Sequence, residues 1–270
     1  MKNCSKILVT GAKGMLGQDL CPIFEDEGFE VVETDVDTLD ITNFEQVKEV
    51  LKRERPDYVI HLAAYTNVDK AEEDLQTARL INSKGTENIA KAVSEIDGTM
   101  VYISTDYVFD GEKTEPYTPE DKPNPQANYG LTKYEGEQAV QKYCNKYYIT
   151  RTSWLYGIHG RNFVETMLSL KGDIKVVDDQ VGCPTWTVDL SNAILKIIQD
   201  EMPYGIYHTC GGGQTSWYGF AKEIGVNCKP CTTDDFPRPA KRPKYSVMDN
   251  KGLLRNWKLA LKDYMKLREV

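Results

Sequence analysis

The short apolar run Lys6-Ile-Leu-Val-Thr10 passes directly into Gly11-Ala-Lys-Gly14-Met-Leu-Gly17, and then into the helical spacing of Leu16, Leu20 and Ile23. A buried strand, a glycine turn and a helix N-terminus in that order commit a chain to the start of a parallel sheet flanked by helices. Gly11 permits the tight turn. Gly14 lets main-chain N–H groups come close to a pyrophosphate, and Gly17 lets helix and strand pack closely. The spacing is G-x-x-G-x-x-G, so the signal rests on its position after the first strand as much as on the glycines.

The alternation continues. Phe29 to Thr34 reads as a second strand, with Asp35 at its end, where a carboxylate accepts from an adenosine 2′-hydroxyl and repels a 2′-phosphate. That favours NADH, while Lys13 in the glycine loop could offset a phosphate and leaves NADPH open. Asp40-Ile41, just before the next helix, is placed to flank the adenine, although Asp40 suits a turn equally well. A helix at 43–54, a third strand at 57–62 and a small-residue loop from Ala63 and Ala64 follow. A long helix is expected over 75–94, and then an apolar strand from Met100 that ends in Ser104, Thr105, Asp106 and Tyr107. Strands alternating with helices specify an α/β, Rossmann-type, doubly wound parallel sheet. After about Ser153 the rhythm weakens, which suggests a smaller C-terminal substrate-binding lobe. The expected division is 1–153 with 182–210 for the nucleotide-binding unit, and 154–181 with 211–270 for the lobe.

Ligands of open parallel sheets sit outside the carboxyl ends of the strands, so the hydroxyls after Met100–Ile103 lie where chemistry is expected. About 25 residues on comes Tyr129-Gly-Leu-Thr-Lys133, whose four-residue spacing stacks a phenol and an ammonium on one helix face. An adjacent cation favours phenolate and lowers a tyrosine pKa toward the working pH, which suits proton transfer to a reduced carbonyl. The trio is then Thr105 on the substrate oxygen, Tyr129 moving the proton, and Lys133 tuning Tyr129 and holding a ribose. Tyr218 and Lys222 repeat the spacing without such a strand before them, and read as a surface helix.

The chain has 270 residues and a net charge of -8, which argues against nucleic acid as a partner. No apolar run approaches a membrane span, and Met1–Cys4 lacks signal-peptide architecture, so a cytoplasmic location is expected. The 7 cysteines are odd in number and scattered. Cys228-Lys-Pro-Cys231, in a Pro-rich stretch with no second pair, reads as free thiols, and no metal is expected.

These segments, with Ala63-Ala-Tyr-Thr-Asn-Val-Asp-Lys70, Ser104-Thr-Asp-Tyr-Val-Phe109, Arg151-Thr-Ser-Trp154 and Arg238-Pro-Ala-Lys-Arg-Pro243, resemble the extended short-chain dehydrogenase/reductases. Within them they are most similar to the dTDP-4-dehydrorhamnose reductases, over nearly the whole chain. The resemblance implies that NADH or NADPH reduces the C4 ketone of dTDP-4-dehydro-L-rhamnose to dTDP-L-rhamnose. It makes Thr105, Tyr129 and Lys133 catalytic and sets Val68, Lys70, Asp106, Tyr107 and Trp154 around the sugar. Around the cofactor it sets Gly11, Lys13, Gly14, Met15, Leu16, Gly17, Asp35, Asp40, Ile41, Ala63, Ala64, Tyr65, Asn82 and Ser104, with Tyr129 and Lys133. A dTDP-sugar is the implied partner. A homodimer stays open, since the C-terminal region is short; no carboxylate cluster secures the inter-subunit Mg²⁺ of some relatives. Two rival readings remain. A nucleotide-sugar dehydratase would carry an Asp-Glu pair after the catalytic threonine, where this chain has Asp106 and Tyr107. A non-catalytic regulatory subunit, resembling the β subunit of methionine adenosyltransferase, would bind NADP(H) and turn over no sugar.

Overall fold

The computed structural model describes residues 5–268, so the reading made on Met1–Cys4 lies outside the described residues. The first half alternates as expected. Strand β1 (Lys6–Thr10), helix α1 (Met15–Asp26), β2 (Glu30–Thr34), α2 (Phe44–Glu54) and β3 (Tyr58–His61) follow one another. Next come α3 (Lys70–Glu73), α4 (Leu75–Arg79), α5 (Thr86–Glu95), β4 (Thr99–Thr105), α6 (Asn128–Tyr143) and β5 (Tyr147–Thr152). The expected long helix at 75–94 is broken by a π-helical segment, Leu80–Gly85. The wider turn carries buried Asn82 inward, and the missing side chain of Gly85 admits Ile41, whose Cδ1 would stand 2.7 Å from an added Cβ.

The second half is more finely divided. It holds β6 (Leu155–Tyr156), α7 (Phe163–Ser169), β7 (Ile174–Val177), β8 (Val181–Gly182), β9 (Thr185–Trp186) and α8 (Thr187–Gln199). It ends with β10 (Gly205–His208), β11 (Thr215–Ser216), α9 (Trp217–Ile224), β12 (Cys228–Cys231) and α10 (Trp257–Leu267). The Cys228–Cys231 stretch was expected to be a loop. It is a strand paired in parallel with β7, Cys228 opposite Ile174 and Pro230 opposite Val176, and a two-stranded ribbon, being all edge, tolerates the proline.

One six-stranded sheet runs in the order β10-β5-β4-β3-β1-β2, with every pair parallel. The chain leaves β1 toward β2 on one side and returns as β3 on the other, so the topological switch lies between β1 and β3. Helices α1 and α8 cover one face through Leu16, Leu20, Phe24, Leu190 and Ile194. Helices α2, α5 and α6 cover the other through Val47, Leu51, Ile89, Val93 and Val140. Each fully buried aliphatic side chain in these layers contributes about 1.5–3 kcal/mol, which is why both faces of the strands read as continuous apolar runs. The remaining strands form three two-stranded ribbons around a third core of Tyr156, Phe220, Trp257 and Tyr264. Among the described residues no helix is long and apolar enough to cross a membrane.

Candidate active site

A cavity of about 820 Å³ opens at the carboxyl ends of the strands. At its centre is the switch point. Gly11 has φ +71, and a Cβ there would come within 2.8 Å of the Ala63 nitrogen, so only glycine lets the loop after β1 lie against the loop after β3. Gly17 meets Ala12 in the same way, its added Cβ falling 2.3 Å from the Ala12 carbonyl oxygen. Gly14 is the N-cap of α1 and supplies no side-chain cap, which leaves first-turn N–H groups of α1 facing the cavity. This cradle fits the diphosphate of a dinucleotide.

The nucleoside end is lined by Lys13, Asp35, Asp40 and Ile41. The Asp35 carboxylate accepts from the main-chain N–H of Lys13 at 2.9 Å and of Val36 at 2.8 Å, which ties the glycine loop to β2. The Lys13 ammonium pairs with Asp37 at 2.5 Å. Asp40 accepts from the Thr42 N–H and hydroxyl, so it is a turn residue that also lines the cavity.

At the other end β4 delivers Ser104 and Thr105, and a 3-10 turn at Asp106–Val108 follows. Thr105 caps that turn by accepting from the Tyr107 N–H at 3.2 Å and donates to Asp106 Oδ1 at 3.0 Å. Helix α6 lies hard against the turn, because a Cβ on Gly130 would stand 2.1 Å from the Tyr107 carbonyl oxygen. That contact brings Tyr129 beside Thr105, with its ring edge-on to Tyr107 at 5.5 Å. One turn on, Lys133 is buried and lines the same cavity.

The electrostatics differ from expectation. Tyr129 is half-buried as a residue, and burial of its hydroxyl pushes its pKa up to about 12, against hydrogen bonding with Thr105. Burial pulls Lys133 itself down to about 7, and its ammonium lies over the Tyr102 ring. Asp106 is pushed up to about 6 by burial, and its Oδ2 is enclosed without a hydrogen-bond partner.

Beneath this floor lies a layer that sequence reading missed. Arg151, opposite Ser104 in the β4–β5 register, makes a buried two-point ion pair with Glu137, at 2.9 and 2.7 Å. Ser104 donates to the same carboxylate at 2.5 Å. His61, at the end of β3, bonds Thr10 at 2.7 Å and Thr86 at 3.1 Å. Because Thr86 gives its own proton to the Asn82 carbonyl, its oxygen must accept from His61 Nε2, and Nδ1 accepts from Thr10. Burial holds this neutral imidazole down at about 3.

Most of the expected site residues therefore meet on one cavity: the three glycines, Met15, Leu16, Ala63, Ala64, Val68, Ser104, Asp106, Tyr107 and Trp154 line it with those already named. Tyr65, Lys70 and Asn82 do not. Asn82 holds the Tyr65 main chain from both sides, at 2.7 and 3.1 Å, and so shapes the loop after β3 from behind. Lys70 is exposed at the start of α3. Trp154 has φ +48 and stacks on Trp217, ring centroids 3.5 Å apart. Thr152, Ser153 and Arg161 also line the cavity and were not foreseen. Thr152 ends β5 in register with Thr105 at the end of β4, and Ser153 follows it, a signal available to the same reasoning; Arg161 follows no recognisable pattern. The second Tyr/Lys pair sits on α9, with Tyr218 half-buried on the third core, Lys222 exposed and neither at the cavity.

Residues 5–268 match the family described as RmlD substrate binding domain. A dTDP-4-dehydrorhamnose reductase of Streptomyces griseus is 39% identical, covering 94% of this chain and 91% of its own. A crystal structure of a dTDP-4-dehydrorhamnose reductase from Clostridium acetobutylicum superposes with a TM-score of 0.95 at 48% identity, covering 98% of this chain and 100% of its own. One from Bacillus anthracis, in complex with NADP, gives 0.94 at 41% identity, covering 97% and 99%. With the glycine cradle and the Tyr/Lys helix on one cavity and matches that run nearly end to end, the chain belongs to the RmlD family of dTDP-4-dehydrorhamnose reductases, within the short-chain dehydrogenase/reductases.

Proposed function

We propose that this protein reduces the C4 ketone of dTDP-4-dehydro-L-rhamnose, with NADH or NADPH as reductant, to give dTDP-L-rhamnose. The observation that carries the reading is the meeting of Thr105, Tyr129 and Lys133 with the Gly11–Gly17 cradle on one cavity at the sheet's switch point. The cofactor supplies a hydride when bound. The protein's own part is to orient and to protonate. The Thr105 hydroxyl bonds the ketone oxygen, and the Tyr129 hydroxyl gives that oxygen its proton. A phenol held up at about 12 is a reservoir that stays protonated at neutral pH until negative charge develops beside it. Lys133 holds the nicotinamide ribose from the same helix face. Asp106, Tyr107, Val68 and Trp154 surround the sugar, while Lys70 reaches it only by extending from α3. Asp35, Asp40 and Ile41 hold the adenosine, and the loop Ala63–Tyr65, shaped by Asn82, closes over the dinucleotide.

On this reading 1–153 with 182–210 is the nucleotide-binding unit and 154–181 with 211–270 the smaller lobe, and the sugar lies where Val68, Asp106 and Tyr107 of the first face Trp154 of the second. A cytoplasmic location, a chain without nucleic-acid partners and a homodimer go with it. The test is oxidation of NADH and NADPH, followed at 340 nm, against a panel of dTDP-4-keto-6-deoxy sugars. Turnover with dTDP-4-dehydro-L-rhamnose above the others supports the reading. Dinucleotide binding with no turnover on any sugar would favour a regulatory subunit instead.

A further inference from the structure

The segment between β6 and α7, residues 157–162, belongs to the lobe side of the chain yet lies on the first turns of α1. A Cβ on Gly157 would come within 3.2 Å of both Met15 Cγ and Asp19 Oδ2. Asn162 is buried; it donates to the Gly157 carbonyl at 2.7 Å, reaches Met15 Sδ at 4.0 Å and caps α7 by accepting from the Glu165 N–H at 3.1 Å. His159 Nε2 stands 3.4 Å from Asp19 Oδ1, and the other oxygen of Asp19 accepts from the Thr187 hydroxyl of α8. The segment is thus pinned at both ends to the helix whose N-terminus forms the cradle.

Between those anchors stands Arg161, which lines the cavity with Gly14 and Met15. The other cations of that lining are engaged. Lys13 pairs with Asp37, and Lys133 lies over Tyr102. Arg161 has no ion pair and no hydrogen bond among the described residues. Arg161 is exposed, and in a chain of net charge -8 an unpaired guanidinium on a segment anchored to α1 is suited to attract phosphate.

We infer that Arg161 is a cofactor-binding residue, whose guanidinium engages the diphosphate of the dinucleotide from the side opposite the α1 N-terminus. The inference rests on the NAD(P)H reading and adds a contact made by the lobe side of the chain. A planar fork of donors matches two phosphate oxygens, which a point charge does not. The diphosphate is common to NADH and NADPH, so the contact is blind to the 2′-phosphate.

The test is fluorescence titration of NADH and NADPH into wild type, Arg161→Ala and Arg161→Lys, with thermal melts to check that each folds. Arg161→Ala should raise both dissociation constants together by about tenfold, as loss of a charge-assisted hydrogen bond does. Added salt should weaken wild-type binding more than that of the variant, because a screened charge is gone. Arg161→Lys should recover only part of the affinity, and KM for the cofactor should rise more than kcat falls. Unchanged affinity in Arg161→Ala would overturn the inference, and so would a loss confined to NADPH, which would place the residue at the 2′-phosphate. A wild type that binds neither dinucleotide would instead sink the cofactor reading beneath it.

Discussion

The ammonium of Lys133 lies 4.1 Å from the centroid of the Tyr102 ring, with only 3% of the lysine exposed. The Tyr102 hydroxyl donates to the Lys133 carbonyl at 3.2 Å, and the same ring stacks on neutral His61, centroids 5.7 Å apart. The π-face offsets part of the cost of burying the charge. Burial still wins and takes Lys133 down to about 7, with Glu137 one turn on pulling the other way.

A buried lysine of this kind lowers stability wherever the unfolded chain holds the proton more tightly than the folded one. The folded value is about 7 against an ordinary 10.5, so the penalty is fully present below about pH 7 and fades as pH rises toward 10.5. Lys133→Met should therefore raise Tm at pH 7, by about 2–4 °C for each kcal/mol relieved, and by much less at pH 10. Turnover should fall in the same variant. Melts across that range decide it; a gain that grows with pH would contradict the burial argument.

The Glu137–Arg151 pair makes the opposite prediction for stability. Both side chains are 1% exposed, and removing one partner strands the other charge in the core. Glu137→Gln should cost about 3–5 kcal/mol in urea unfolding, and Arg151→Met a similar amount. The double change Glu137→Gln with Arg151→Met should cost clearly less than the two singles added, since it leaves no buried charge unpaired. Additive losses would mean the pair is not a coupled unit.

How much of this was legible beforehand depends on distance along the chain. The glycine loop, Asp35 and the Tyr129/Lys133 face are local patterns, set by turn geometry and by a helix repeat, and the structure brings them to one cavity. The charge on Lys133 is not local. It depends on Tyr102 and on burial beneath β4, and neither is written in a four-residue spacing. Arg151 and Glu137 meet only because β5 lies beside β4 under α6. Ribbons of two residues, such as β6 with β9, have no periodicity to read, so the lobe is legible only as a break in the rhythm, and its inner pairing and Arg161 are not. Trp154 was named, yet its left-handed backbone and its stack on Trp217 come from packing alone.

Asp106 should set the acid limb of the pH profile. Its pKa is raised to about 6, so its charge is lost as pH falls through that value, weakening its hold on the Thr105 hydroxyl. Wild-type kcat/KM should drop below about pH 6, and Asp106→Asn should have a lower plateau without that limb. A raised carboxyl favours the fold below its ordinary value, and that support is lost as pH rises through about 6, so the variant should gain stability at pH 8 relative to pH 4. An unchanged limb in Asp106→Asn would assign it to another group.

Cofactor choice turns on Asp35, whose carboxylate is held in place by two main-chain N–H groups. NADH should serve at least as well as NADPH, because the carboxylate accepts from a 2′-hydroxyl and repels a 2′-phosphate. Asp35→Ala should weaken NADH more than NADPH, although part of either loss reflects the freed glycine loop. A hundredfold wild-type preference for NADPH in kcat/KM would remove the basis of this reading.

The sharpest comparison sets the two Tyr/Lys pairs against each other. Tyr129→Phe keeps the ring that packs on Tyr107 and removes only the hydroxyl beside Thr105, so the fold should survive. If that hydroxyl protonates the sugar's O4, kcat should fall by about 10² to 10⁴. Thr105→Val should also lower kcat, and it frees the Asp106 carboxylate and the Tyr107 N–H at once, so part of its effect is loss of the turn. Tyr218→Phe makes the same chemical change on α9, where the ring packs on the third core and away from the cavity. It should leave kcat within about twofold, as substitutions away from special features do. Spacing and chemistry are equal in the two tyrosine variants, and only the strand end beside Tyr129 differs. An active Tyr129→Phe beside a dead Tyr218→Phe would move the proton donor to the lobe and leave the Thr105 cavity without a catalytic role.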